Sequence, residues 1–341
     1  MSKRIIFCAD GTWQTPQSQT NVYKLFKALP VTADQMPFYD DGVGADGTPL
    51  EKLIGGAIGD GLFQKIKDGY TKISHVYEQG DDVFVFGFSR GAYTARCIAG
   101  MIAACGLPTE AFDDNLVETA FQAYRDKDQR SQLLSSLNAY GLFDAKIKMV
   151  GVWDTVGALG IPAIFGGIDL IQYGFLDTTL HPDVLNAFQA LAIDERRQQF
   201  SPTLWTSQPV SGQVLEQIWF AGCHGDVGGG GSYPGLADVS LGWMMRNARA
   251  LGVEFDDHVW NHYSSVPLAD ALAQIDDSWR IFWGIPNPRQ ISANADLSNS
   301  VVIRCQSIPA YRPVNLTFTG GLPAETYPTV QIIEEGARPG G

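Results

Sequence analysis

Cysteine is scarce in this chain of 341 residues, and its five cysteines are widely spread. They stand at positions 8, 97, 105, 223 and 305, an odd number without a C-x-x-C pair. Disulfide-stabilised domains and structural zinc sites use paired or closely spaced cysteines. The sequence therefore argues against both kinds of site, and it favours a reducing compartment.

Basic residues are also few relative to acidic ones. The chain has 24 Lys and Arg against 37 Asp and Glu, so its formal net charge is −13. Such a chain repels the phosphate backbone of nucleic acid instead of attracting it. We therefore expect no nucleic-acid partner.

Long hydrophobic runs are missing as well. The first apolar run, Ile5–Ala9, ends at Asp10 after five residues and is too short for the core of a secretory signal. The weakly charged stretch 157–175 contains Pro162, Asp169 and five glycines, which oppose a membrane-spanning helix. We therefore expect synthesis in the cytoplasm without a signal peptide or a transmembrane segment. Export by a signal-independent system and peripheral contact with a membrane surface both stay open.

Apolar residues make up 45% of the chain, enough for a large core. Short apolar runs alternate with helical patterns, which is typical of an α/β fold with a mostly parallel central sheet and helices on both faces. We therefore predict one large α/β domain over residues 1–341. The predicted strands are Arg4–Ala9, Met36–Tyr39, Asp82–Phe88, Lys146–Trp153 and Glu216–Ala221. The predicted helices are Asn21–Ala28, Phe63–Glu78, Ala92–Ala104, Leu116–Leu137 and Trp243–Leu251.

Two segments depart from this alternation. Residues 157–209 form a long insertion, with a helical stretch predicted at Asp183–Glu195, and insertions of this kind commonly form a lid or cap. Its apolar residues between 161 and 175 would provide either a wall for an acyl chain or ordinary core. The tail 330–341 is predicted to be frayed.

The motif Gly87-Phe88-Ser89-Arg90-Gly91 lies between a predicted strand and a predicted helix. This is the context of a nucleophile elbow, in which a serine occupies a strained turn and needs small neighbours two residues on either side. Gly87 and Gly91 meet that need. We therefore predict Ser89 as a nucleophile.

A serine nucleophile needs a base, and the base needs an acid to orient it. Asp154 follows the predicted strand that ends at Trp153, and His224 follows the one that ends at Ala221. The order Ser, Asp, His along the chain matches that of α/β hydrolases. We therefore predict Asp154 and His224 as acid and base, with Asp226 and Asp194 as competing acids. Asp226 suits the glycine turn better, and Asp194 suits a pair with Arg196 or Arg197.

The oxyanion of an ester reaction needs main-chain N–H donors near the serine. The amide of Arg90, at the start of the helix, is one candidate, and the amides of Gly11 and Thr12 after the first strand are others. Asp10 would oppose an oxyanion, so we assign it a structural role as an acceptor for loop amides or for Thr155.

These residues require no metal or cofactor, but two alternatives remain open. The run from Phe7 to Thr12 is similar to the signature of haloacid dehalogenase-like phosphatases, so a metal-dependent phosphohydrolase could use Asp10 and Asp226. The nucleophilic aspartate of that signature would stand at position 8, where this chain has Cys8. A non-catalytic binding module on the same fold is the other alternative.

The motifs together resemble those of the DUF2235 family of α/β hydrolases. They are Ala9–Trp13, Gly87–Arg96, Gly151–Gly157, Ala192–Arg197 and Trp219–Gly230, and the resemblance spans residues 4 to 250. This family includes the catalytic domain of Tle1-type phospholipase effectors of the bacterial type VI secretion system. The resemblance implies a serine esterase or lipase acting on a small-molecule or lipid ester, with Ser89 as nucleophile, His224 as base and Asp154 as the acid.

Overall fold

The structure is a computed structural model that describes residues 2–11, 14–42, 57–109, 112–157 and 178–334. Its strands are β1 (Arg4–Ala9), β2 (Gln35–Asp40), β3 (Asp82–Phe88), β4 (Leu107–Pro108), β5 (Leu142–Phe143), β6 (Ile147–Trp153), β7 (Asn186–Ala192), β8 (Val214–Phe220), β9 (Asp296–Ser298), β10 (Phe318–Thr319), β11 (Leu322–Pro323) and β12 (Thr329–Val330). Its helices are α1 (Asn21–Lys27), α2 (Ala57–Val76), α3 (Arg90–Cys105), α4 (Asp114–Arg125), α5 (Arg130–Leu137), α6 (His224–Gly228), α7 (Gly235–Ala250), α8 (Asp257–Ser264), α9 (Leu268–Ala271) and α10 (Asn299–Ser307). Within these ranges, no helix has the length and hydrophobicity to cross a membrane.

Eight of these strands form one sheet in the order β12-β9-β8-β7-β6-β3-β1-β2, and every neighbouring pair in it is parallel. Parallel strands place their carboxyl ends at one edge of the sheet. Ser89, Asp154 and His224 follow β3, β6 and β8, so all three leave the sheet at that edge.

Side chains on alternate faces of the strands build two core layers. In β1, Ile5 and Phe7 pack with residues of α2, α3 and α4, whereas Ile6 and Cys8 pack with residues of α1 and α7. This alternation follows from the two-residue period of a strand. Helices therefore cover both faces of a parallel sheet, which confirms the predicted fold class.

Two predicted helices were wrong in part. The stretch Asp183–Glu195 contains strand β7, which lies between β6 and β8 in the sheet. Its run Asn-Ala-Phe-Gln-Ala-Leu-Ala is buried on both faces, and periodicity does not separate such a strand from a buried helix. The predicted helix Leu116–Leu137 is two helices, α4 and α5.

The lid predicted over 157–209 stays a prediction. Its residues 158–177, which include the proposed acyl-chain wall, lie outside the described part. The frayed tail predicted over 330–341 was wrong at its start. The amides of Ile332 and Ile333 donate to the side chain of Asn299, and both isoleucines are buried. Residues 335–341 lie outside the described ranges.

Candidate active site

Ser89 occupies a tight turn between β3 and α3. Its backbone angles are φ 59° and ψ −121°, a conformation that is strained for a residue with a side chain. A Cβ on Gly87 would lie 2.4 Å from the carbonyl oxygen of Gly91, and one on Gly91 would lie 2.2 Å from that of Ala9. The strand and the helix are therefore packed too closely for any other residue, which is the geometry expected of a nucleophile elbow.

The imidazole of His224 lies beside this turn. The ring of Phe88, the residue before Ser89, is 4.6 Å from the His224 ring, centroid to centroid. On another side Phe200 meets the imidazole edge-on at 4.9 Å. Two aromatic rings thus fix the position of the imidazole next to the elbow.

Asp154 meets His224 through a short hydrogen bond. Its Oδ2 lies 2.5 Å from Nδ1 of the imidazole, and both side chains are buried. Asp154 has a positive φ of 44°, a second strained position at the carboxyl edge of the sheet. Because Nδ1 is held by the carboxylate, Nε2 is the ring nitrogen left for proton transfer.

A buried arginine that the sequence reasoning missed also binds Asp154. Nη1 and Nη2 of Arg289 lie 2.6 and 2.8 Å from the two carboxylate oxygens of Asp154. The same guanidinium donates to the main-chain carbonyls of Ala192 and Phe200. Arg289 stands 135 residues after its partner, in a segment without regular structure, so no spacing or motif could have indicated the pair.

A second ion pair, between Glu195 and Arg197, holds the main chain at His224. Oε2 of Glu195 accepts the main-chain N–H of His224 and also pairs with Arg197, whose guanidinium lies 3.5 Å from the ring centre of Phe200. The expected pairing of Asp194 with Arg196 or Arg197 was wrong. Asp194 instead accepts from the amide of Gly222 and from the hydroxyl of Tyr311, because its side chain turns toward the loop after β8.

These contacts set the charges of the site. Burial alone would raise the pKa of Asp154, but Arg289 and His224 outweigh it and hold that pKa well below its usual range. Burial lowers the pKa of His224, and the nearby carboxylates of Asp154 and Glu195 offset that effect only in part. The site therefore holds an ionised carboxylate against a neutral imidazole at neutral pH.

The candidate oxyanion donors differ in their positions. Arg90 is the first residue of α3, where main-chain N–H groups point out of the N-terminal end of the helix. A Cβ on Gly11 would lie 3.3 Å from Cβ of Ser89, so Gly11 does lie against the serine. Its N–H donates to Oδ1 of Asp10 at 2.8 Å in this structure, and the oxyanion role of this amide stays a prediction. Thr12 lies outside the described ranges.

Asp10 and Asp226 are both committed to structural hydrogen bonds. Asp10 accepts from the amide of Gly11 and from the hydroxyls of Thr20 and Tyr39. The bond expected from Thr155 is not among its described contacts, because Thr155 follows β6 and strand β3 separates β6 from β1.

Asp226 accepts from the amides of Cys223 and Asp276 and so holds the turn at His224. In the described part of the chain, no three His, Cys, Asp or Glu side chains are grouped to bind a metal ion.

Comparison with known proteins identifies a family whose model matches this chain. The model "T6SS, Phospholipase effector Tle1-like, catalytic domain" matches residues 3–247. An uncharacterized protein of Saccharomyces cerevisiae is 28% identical over 61% of this chain and 33% of its own length, so the chain spans about a third of that curated relative.

Solved structures give more distant similarities. An uncharacterized protein from Pseudomonas aeruginosa has a TM-score of 0.49 and 16% identity, covering 76% of this chain and 47% of its own. A sugar hydrolase from Lactococcus lactis has a TM-score of 0.38 and 13% identity, covering 74% of this chain and 91% of its own.

Proposed function

The chain belongs to the family of Tle1-like phospholipase effector catalytic domains of the type VI secretion system, and from this premise we propose that it is a serine hydrolase that cleaves carboxylic ester bonds in lipids. The observation that carries the proposal is the hydrogen bond between Asp154 and His224, placed beside a strained serine whose flanking glycines cannot be replaced without a clash. Family membership supports the hydrolase class, and the site geometry supports a serine mechanism.

In this mechanism Nε2 of His224 takes the hydroxyl proton of Ser89 as Oγ attacks the ester carbonyl. Asp154 holds the imidazole through Nδ1 and stabilises its charged form. The amide of Arg90 stabilises the oxyanion. His224 then protonates the departing alcohol, and a water molecule activated by the same imidazole hydrolyses the acyl-enzyme and frees Ser89.

The substrate we propose is a phospholipid acyl ester, which the printed description of the family supports. The same membership supports a role as an exported effector. Cleavage of an acyl ester by this serine mechanism uses neither a metal ion nor a cofactor. Asp10 and Asp226 do not favour the phosphohydrolase alternative, since their carboxylates bind separate sets of neutral donors.

The decisive experiment is labelling with a fluorophosphonate probe, which reacts with activated serines whatever their substrate. We expect the unaltered protein to be labelled and Ser89→Ala to be unlabelled. Ser74→Ala is the matched control, because Ser74 is another buried serine and donates to the carbonyl of Tyr70 within a helix. Labelling of Ser89→Ala at the level of the control would refute the proposal.

A second measurement identifies the reaction class. Hydrolysis of p-nitrophenyl butyrate should persist in EDTA and should fall at least ~100-fold in His224→Gln, since a general base contributes about that much. Phosphate release that needs magnesium and disappears in Asp10→Asn would favour the phosphohydrolase. Turnover of neither substrate would favour a binding module.

A further inference from the structure

The three most exposed large hydrophobic side chains among the described residues all belong to the C-terminal part of the chain. They are Ile281, Ile285 and Val314, with exposed fractions of 85%, 88% and 84%. We call these three residues the apolar rim. Exposed isoleucine and valine side chains at this level cost solvation free energy unless another surface covers them.

The apolar rim borders the candidate active site. Trp283, which lies between the two isoleucines, packs edge-on against Phe200 at 5.7 Å, and Phe200 in turn packs against His224. The amide of Asn287 donates to the carbonyl of Arg196, and Arg289 binds Asp154. The segment that carries the two isoleucines is therefore held against residues of the site at its middle and on its C-terminal side.

Val314 lies on the same side of the molecule. It lines a cavity of about 330 Å³ together with Pro288 and Glu195, so the second exposed segment approaches the first next to the loop that supports His224. Two separate stretches of chain thus present uncovered apolar side chains around one side of the site.

The charge near the apolar rim indicates which kind of partner surface it contacts. The chain carries a net charge of −13, yet the segment between Asp277 and Asp296 contains no Asp or Glu and two arginines. Arg289 is used internally, but Arg280 is exposed and donates to the main-chain carbonyls of Asp277 and Trp279, so its positive charge stays on the surface. A phosphate-bearing surface that most of this acidic chain repels can approach here.

The types of residue in this segment also favour a lipid surface as the partner. Tryptophan is enriched where proteins meet the interface between lipid and water, and aliphatic side chains enter the apolar layer below it. Trp279 and Trp283 flank Ile281, which places both kinds of side chain on one short segment. A lipid layer accepts single protruding side chains without a complementary pocket, whereas a protein partner of standard size needs about 800 Å² on each side.

We propose that the apolar rim is the surface by which the protein docks on a phospholipid bilayer, with Ile281, Ile285 and Val314 entering its apolar layer. The proposal rests on the proposed function for the choice of a lipid partner, because docking here would bring lipid esters to the side of His224. It adds a docking surface formed by residues beyond the span 3–247 that the family model matches.

Co-sedimentation of the full chain with vesicles tests the proposal. The Ser89→Ala protein is mixed with vesicles of phosphatidylcholine, and with vesicles that also contain phosphatidylglycerol. We expect it to bind both kinds of vesicle. The double change Ile281→Ser and Ile285→Ser should weaken the partition onto phosphatidylcholine vesicles at least ~10-fold, since two large side chains no longer enter the lipid. Val314→Ser alone should weaken it by a smaller factor.

Val31→Ser is the matched control, because Val31 is 80% exposed and precedes β2, at the opposite edge of the sheet. Thermal unfolding checks that each variant is folded. Failure of the Ser89→Ala protein to bind vesicles would overturn the proposal. So would binding that the double change leaves at the level of the Val31→Ser control, or binding restricted to phosphatidylglycerol vesicles. Because the assay needs no catalysis, a protein that binds vesicles but fails fluorophosphonate labelling would refute the proposed function and leave the docking surface standing.

Discussion

At the scale of single residues, Asp154 stands between two cationic or potentially cationic partners. Its carboxylate contacts Nδ1 of His224 on one side and both terminal nitrogens of Arg289 on the other. The arginine fixes the plane of the carboxylate, and it also weakens the field that Asp154 exerts on the imidazole. Arg289 is therefore a positioning residue that acts on the proposed base through the acid.

Replacement of Arg289 should affect both stability and activity. Arg289→Met leaves a buried carboxylate without its ion-pair partner, which costs about 3–5 kcal/mol of unfolding free energy. Arg196→Met removes a partly exposed pair with Asp277 and should cost less than about 1 kcal/mol. Denaturant unfolding of both variants measures the difference. Equal losses would show that Arg289 has no special role.

Kinetics separates positioning by Arg289 from mere structural support. Without the guanidinium the imidazole faces the full charge of Asp154, so the pKa of His224 should rise and the acid limb of kcat/KM should move to higher pH. Arg289→Lys keeps the charge and should restore most of the original pH profile. An acid limb that stays in place in Arg289→Met would contradict this account.

The pH dependence of the unaltered protein follows from burial of His224. Burial lowers the pKa of this imidazole, and only the neutral form accepts the serine proton. The acid limb of kcat/KM should therefore lie below about 6.5, the usual value for histidine. The same shift makes a contribution to stability that is present above the pKa of the unfolded chain and is lost as the pH falls through the folded value. A pH profile of p-nitrophenyl butyrate hydrolysis with its acid limb above 7 would contradict the prediction.

At the scale of elements, the turn from β3 to α3 depends on two glycines. A Cβ at Gly91 would lie 2.2 and 2.4 Å from the main-chain carbonyl oxygens of Ala9 and Asp10, so Gly91→Ala must push helix α3 away from β1. We expect a loss of about 1–3 kcal/mol in unfolding free energy and loss of fluorophosphonate labelling. Gly231→Ala is the control, since its Cβ would make ordinary contacts at 3.6 Å. A Gly91→Ala protein as stable and as reactive as this control would refute the argument.

Some strands of the sheet could be predicted from the sequence, and one could not. Strands β1, β3 and β6 were predicted within one residue, because a strand covered on both faces is a short, continuous apolar run. Strand β7 was mistaken for a helix, since its three alanines and its glutamine fit a helical pattern equally well.

The candidate active site likewise contains residues that the sequence could reveal and residues that it could not. The positions of Ser89, Asp154 and His224 follow from strand ends, which are local features of the sequence. The roles of Arg289 and Glu195 depend on contacts between distant segments, and no local pattern encodes them. The engagement of the Gly11 amide by Asp10 likewise depends on a loop conformation that residue types alone do not specify.

At the scale of the whole molecule, the acidic surface and the apolar rim act in opposite directions on a membrane. The net charge of −13 opposes approach to an anionic bilayer over the Debye length, which is about 30 Å at 0.01 M salt and about 8 Å at 0.15 M. Burial of the apolar rim is a contact interaction that salt does not screen. Vesicles that contain phosphatidylglycerol should therefore bind the Ser89→Ala protein more tightly as NaCl rises from 0.01 to 0.15 M, whereas binding to phosphatidylcholine vesicles should change little. Co-sedimentation across this range measures both trends. Weaker binding to the anionic vesicles at the higher salt would mean that local cations such as Arg280 dominate the encounter and that the long-range repulsion is negligible.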